Sequence, residues 1–152
     1  MENPAMEMLE SRGVRLLEMA RLVWELQQPY NPALSLEDCL ASVKSVIAKN
    51  EVKHAVITGL TLDEMAEEGT LKEPLGSAVR RNDRLFGTDA MLGLAIVNMY
   101  GSIGLSNYGY LSLDRKRLFR CLPERNNSVV TFTDDLVAAI VAAACARIAH
   151  GR

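Results

Sequence analysis

Aromatic side chains are scarce: three phenylalanines, four tyrosines and one tryptophan in 152 residues. Sheets draw heavily on aromatic and β-branched residues, so this scarcity argues against an all-β design. Leu, Ile, Val, Met and Ala supply most of the 49% hydrophobic content, as packed helices require. Cysteine is sparse as well. Cys39, Cys121 and Cys145 are odd in number, far apart and set in apolar patterns. That excludes a disulfide framework or a Cys-x-x-Cys metal site and leaves three reduced packing residues. Positive charge is not in excess, since the formal net charge is -2, which gives no electrostatic basis for nucleic acid as a partner. The first residues, MENPAMEMLESRG, lack a basic segment followed by an apolar one, so no secretory signal is expected and the expected location is cytoplasmic.

The most informative absence is local. Between Asp89 and Asp114 no residue carries a charge, in a chain where charged residues make up 24%. A stretch without charge calls for apolar surroundings, and helical spacing through Met91, Leu92, Leu94, Ala95, Ile96 and Val97 predicts a central buried helix. A membrane span is disfavoured, because Asn98, Ser102, Ser106, Asn107 and four glycines interrupt the apolar run. Those glycines favour close helix approach, with a Gly-rich turn expected over residues 106–110. A phosphate-cradling loop there is disfavoured, since no Lys-Ser/Thr follows and no strand precedes.

The rest of the chain reads as helices with start and stop signals. Residues 5–28 are amphipathic with an interruption at Gly13. Arginines and acids alternate on the polar face, as on a solvated face rather than a basic docking surface. The prolines of QQPYNPALS end that helix, and Ser35 with Asp38 forms a capping box for the next. Residues 51–68 follow, with a second capping box at Thr61–Glu64 where the helix is expected to restart. His54 has no second His or Cys at metal spacing and reads as a packing or surface residue. Residues 71–82 predict a short helix that tolerates Pro74 only in its first turn. Residues 113–122 predict a basic amphipathic helix, and residues 123–128 a surface loop. Last comes TFTDDLVAAIVAAACARIAHGR, in which Thr133 caps and Asp134 and Asp135 fill the first turn. Taken alone, that Asp-Asp pair is capping and dipole chemistry. The whole fits a single all-α domain over residues 1–152, with one buried helix surrounded by about five others. Ala- and Leu-rich helices with few aromatics predict a homo-oligomer joined through the first helix.

The order of motifs resembles a known family. FGTDAMLGLAIVNMYGSIGLSNYGYL and TFTDDLVAAIVAAACARIAH, with the RGV near Arg12, the run from LSLEDC to AEEG and the later EPL, are similar to the phosphatidylglycerophosphatase A family. The likeness is to its soluble Gram-positive branch of YutG-like and low-temperature-requirement C proteins. It implies an all-α fold and a Mg²⁺-dependent phosphatase acting on a phospholipid phosphate or other phosphomonoester, with peripheral membrane contact and no transmembrane segment. By the same resemblance, Asp89, Asp134 and Asp135 are the catalytic residues and metal ligands, because Mg²⁺ takes oxygen ligands and bridges to phosphate oxygens. Asn98, Ser102 and Asn107 are the polar neighbours expected to bind substrate. This chain departs from the pattern at two places. Ala90 stands where the family has the Glu of an Asp-Glu pair, and Ser112 where it has an Asp; Asp114 and Glu64 are the candidate replacements. The alternative reading is a catalytically degenerate family member acting as a helical oligomeric scaffold.

Overall fold

The computed structural model describes residues 3–82, 87–123 and 128–151, which form α1 (Pro4–Ser11), α2 (Leu16–Gln27), α3 (Leu36–Ala48), α4 (Asn50–Glu68), α5 (Leu75–Arg81), α6 (Thr88–Val97), α7 (Gly101–Leu113) and α8 (Thr133–Ala149). Short 3₁₀ turns occupy Gln28–Tyr30, Asn98–Tyr100, Arg115–Arg117 and Phe119–Cys121. No strand occurs among the described residues, and among them no helix is long and apolar enough to cross a membrane.

Local chemistry sets most helix boundaries. Asn3 caps α1 by accepting from the amides of Ala5 and Met6, with Pro4 at the first helical position. Gly13, at a φ of 89°, turns the chain between α1 and α2. Ser35 and Asp38 form the predicted capping box at α3. All three cysteines are buried and free, as their apolar surroundings suggested.

The centre of the molecule is α8, not the uncharged 89–114 stretch. Every residue from Thr133 to Ala146 is buried, and α2, α3, α4, α6 and α7 pack around it. Alanine explains the choice: it is the best helix former, and its short side chain lets neighbouring backbones approach from every side. The uncharged stretch instead folds as the α6–α7 hairpin against one side of α8. Gly93, Ile96, Val97, Gly104, Tyr108 and Leu111 are buried, while Met91, Leu94, Leu105 and Leu113 are exposed. Lack of charge permits burial without compelling it, since more than half of a folded surface is apolar in any case.

Other boundaries moved for packing reasons. The chain breaks at Asn98–Gly101, with Gly101 at a φ of 77°, and α7 then runs unbroken through the expected 106–110 turn. α4 does not restart at Thr61. It continues through Gly59, where a Cβ would stand 2.5 Å from Leu136 Cδ1, so glycine there brings α4 close to α8. α5 begins after Pro74, and residues 71–74 stay outside it. The predicted basic helix over 113–122 is instead the last residue of α7 followed by two 3₁₀ turns. Most of the predicted 123–128 loop lies outside the described residues. The arginines of the first helices are paired: Arg12 with Glu67, and Arg21 with Glu18, while Arg120 holds Glu25 of the same face.

Candidate functional site

α6 and α8 both begin with acidic first turns, and the fold brings those two beginnings together. Asp134 and Asp135 are buried at the start of α8, and the Asp89 carboxyl at the start of α6 lies close enough to raise the pKa of Asp135. Helix N-termini favour carboxylates, but burial removes their water and outweighs the dipole. Burial pushes both α8 carboxyls well above the usual carboxylate range. For Asp135 the charge of Asp134 and the nearby Asp89 carboxyl add to the rise.

Arg115, on the 3₁₀ turn after α7, supplies the countercharge. Its Nη1 donates to Asp134 Oδ2 at 2.6 Å and its Nη2 to Asp135 Oδ1 at 3.4 Å. Tyr108, from α7, donates its hydroxyl to Asp135 Oδ1 at 3.3 Å. Burial and the neighbouring Asp135 raise the Tyr108 pKa, so the phenol stays a donor. Space for it comes from Gly93, where a Cβ would lie 2.5 Å from the Tyr108 hydroxyl oxygen.

Behind this layer stands Asp63 of α4. It accepts from the amides of Phe132 and Thr133 and from the Thr133 hydroxyl at 2.7–3.1 Å, capping α8 from another helix. Phe132, at the N-cap position, provides no side-chain cap of its own, and the predicted cap Thr133 serves as a donor to Asp63. Burial pushes the Asp63 carboxyl up to about 6, a rise held back by its three donor groups and the Arg12 charge.

Three carboxyl groups provide hard oxygen ligands, and Asp134 Oδ1 is buried with no protein partner. The donor chemistry therefore fits a hard cation. Among the described residues, however, no three Asp, Glu, His or Cys side chains already stand in an ion-holding arrangement, and Arg115 occupies the carboxylates.

The predicted substrate residues do not join the acids. Ser102 and Asn107 line a groove of about 560 Å³ with Gln27, Tyr30, Ile103 and Ile148, which no acid of the site lines. Ile148 lies about 20 Å beyond Asp134 along α8 at 1.5 Å rise per residue. Asn107 also spends its amide on the Ile103 carbonyl, one turn back on α7. Asn98 is exposed at the α6–α7 break. Ser112 donates to the Tyr108 carbonyl, and Asp114 pairs with Arg117. Sequence reasoning assigned no role to Arg115, Tyr108 or Asp63. The signals available were the basic run Arg115-Lys116-Arg117 shortly after Ser112, the NYGY within the uncharged stretch, and Leu62-Asp63 in the run from LSLEDC to AEEG.

No family model matches the chain. It is 47% identical over 144 residues to YpjQ of Bacillus subtilis (strain 168), covering 95% of this chain and 81% of that protein. It is 41% identical over 151 residues to YutG of the same organism, covering 99% and 91%; both relatives are described as uncharacterized. Among solved structures, a protein of unknown function from Bacillus stearothermophilus superposes with a TM-score of 0.91 at 45% identity, covering 99% of this chain and 96% of that one. The low temperature requirement C protein from Listeria monocytogenes superposes with a TM-score of 0.89 at 45% identity, covering 97% and 93%. With such identity sustained over nearly the whole length, the chain belongs to the family of YpjQ and YutG.

Proposed function

We propose that the acidic site at the start of α8 is a phosphomonoester hydrolase site that works with a divalent cation of the Mg²⁺ type, on a substrate of the phosphatidylglycerophosphate kind. The observation that carries this reading is the pair of buried carboxyls, Asp134 and Asp135, joined by Asp89, bridged by Arg115 and holding one unpartnered oxygen at Asp134 Oδ1. Asp89, Asp134 and Asp135 would hold the cation, which when bound supplies charge to polarise a phosphoryl oxygen.

The chain's own residues then divide the remaining work. The Arg115 guanidinium, nearly half exposed, turns its planar fork from the carboxylates to two phosphate oxygens. Asp135, raised in pKa by burial, takes the proton of the attacking water near neutral pH. Tyr108 keeps that carboxyl oriented through its hydroxyl.

A second reading rests on Arg115 itself. A guanidinium that already neutralises Asp134 and Asp135, with Ala90 in place of an acid, suits a degenerate site in a non-catalytic homo-oligomer. The uncharged outer face of α6 and α7, with Met91, Leu94 and Leu105 exposed, supports self-association of such a protein.

The deciding experiment assays the purified protein on a panel of soluble phosphomonoesters and on phosphatidylglycerophosphate, with Mg²⁺ or Mn²⁺ and with EDTA. Phosphate release that EDTA stops and Asp135→Asn abolishes supports the hydrolase. Release indifferent to both sinks it, and no release with any substrate leaves the scaffold reading.

A further inference from the structure

Next to the carboxylates the surface changes character. Leu113 is 91% exposed, Phe119 63% and Tyr110 43%, all within ten residues of sequence. Single exposed apolar residues are ordinary, but three large ones in one short segment are not. The segment also carries Arg115, Lys116 and Arg117 in succession, in a chain whose net charge is -2. It is folded back on itself: the Arg117 guanidinium sits 5.6 Å from the Tyr110 ring centroid and Arg117 Nε pairs with Asp114 at 3.3 Å. The apolar side chains at the end of α7 therefore lie beside the cationic 3₁₀ turn.

We propose that this tip, Tyr110, Leu113, Lys116, Arg117 and Phe119, is a docking surface for an anionic lipid bilayer. Leu113 and Phe119 enter the interfacial region, while Lys116 and Arg117 face the acidic headgroups. Charge complementarity selects this occupant. An apolar patch meant for a second copy gains nothing from adjacent like charges, whereas a negatively charged membrane surface attracts the turn, where Lys116 and Arg117 together outweigh Asp114. Arg115 belongs both to this segment and to the acidic site, so docking would bring the site to the headgroup layer. The docking surface stands on its own, independently of turnover.

Co-sedimentation of the full-length protein with vesicles tests it, using phosphatidylcholine alone against phosphatidylcholine mixed with phosphatidylserine. Phosphatidylserine carries no phosphomonoester, which separates the docking surface from the site. Binding to the anionic vesicles, weakened by added salt, is expected. The pair Leu113→Glu and Phe119→Glu should lower it by more than about tenfold, and Lys116→Glu by about tenfold. Thermal melts check that the variants fold, and the pair Leu113→Ser and Phe119→Ser replaces the glutamates if they do not. Absence of binding to anionic vesicles, or binding that these substitutions leave unchanged, overturns the proposal. So does a glutamate pair that halves the mass by light scattering while neither form binds vesicles, because the occupant is then a second copy. Hydrolysis of a soluble phosphomonoester, measured in parallel, is expected to survive the Leu113 and Phe119 substitutions, so loss of docking and loss of the hydrolase reading are distinguishable.

Discussion

Asp63 caps the central helix from outside it, its carboxylate accepting from both the amide and the hydroxyl of Thr133, at 2.8 and 2.7 Å. This contact fixes the first turn of α8, which carries Asp134 and Asp135. Asp63→Ala strips the acceptor from buried donors and is expected to cost roughly 2–4 kcal/mol in urea unfolding. Asp63→Asn retains an acceptor oxygen and should lose less.

The same residue gives stability a pH dependence of known sign. Its carboxyl titrates near 6 in the folded chain against an ordinary value of 3.8, so ionisation is disfavoured by folding. Stability from this group is greatest below about pH 4, falls as pH rises through about 6, and is flat above. Asp134 and Asp135 act in the same direction, their carboxyls also being raised. Melting temperatures measured in EDTA should fall across that window for the wild type and fall less for Asp63→Asn. Equal slopes for the two proteins would refute the assignment.

Two glycines act as spacers for the site. A Cβ at Gly59 meets Leu136 Cδ1 and Phe132 Cβ in a closed core, so Gly59→Ala should destabilise by about 1–3 kcal/mol despite alanine's better helix propensity. Gly93→Ala instead pushes the Tyr108 hydroxyl away from Asp135. Its expected signature is a modest change in melting temperature with a larger loss of metal-dependent phosphate release. A loss of activity no greater than that of Gly59→Ala at matched stability would remove Tyr108 from the site.

Arg115 separates the two functional readings. If it binds phosphate, Arg115→Lys should raise KM about tenfold or more, because an ammonium cannot reproduce the bidentate fork, with a smaller effect on kcat. Should the guanidinium merely fill the site, Arg115→Ala would increase metal affinity and activity together.

Ala90 invites the converse change. Ala90→Glu restores the acidic pair that the phosphatidylglycerophosphatase resemblance implies, one residue beyond Asp89 and at a position only partly buried. Tighter Mg²⁺ binding by calorimetry and higher phosphate release are expected. Activity confined to this variant would identify the natural chain as the degenerate form.

The helical class, the capping box at Ser35, the break at Gly13, the free cysteines and the acidic first turns at Asp89 and Asp134–Asp135 were all legible along the chain. Each of these is written in local chemistry: helix propensity, side-chain capping and the period of apolar residues. Which helix is central was settled by packing alone. Alanine is equally at home on a surface or in a core, so periodicity could not show that α8 is enclosed by five neighbours while the uncharged α6–α7 stretch leaves Met91 and Leu113 exposed. The site divides in the same way. The acids could be named from their positions, but their union with Arg115, Tyr108 and Asp63 joins residues 19 to 70 positions apart, and no local signal encodes that. Ser102 and Asn107 line a separate groove that reaches Ile148 of α8, because α7 sets off anew after Gly101 and its course follows from packing against α8.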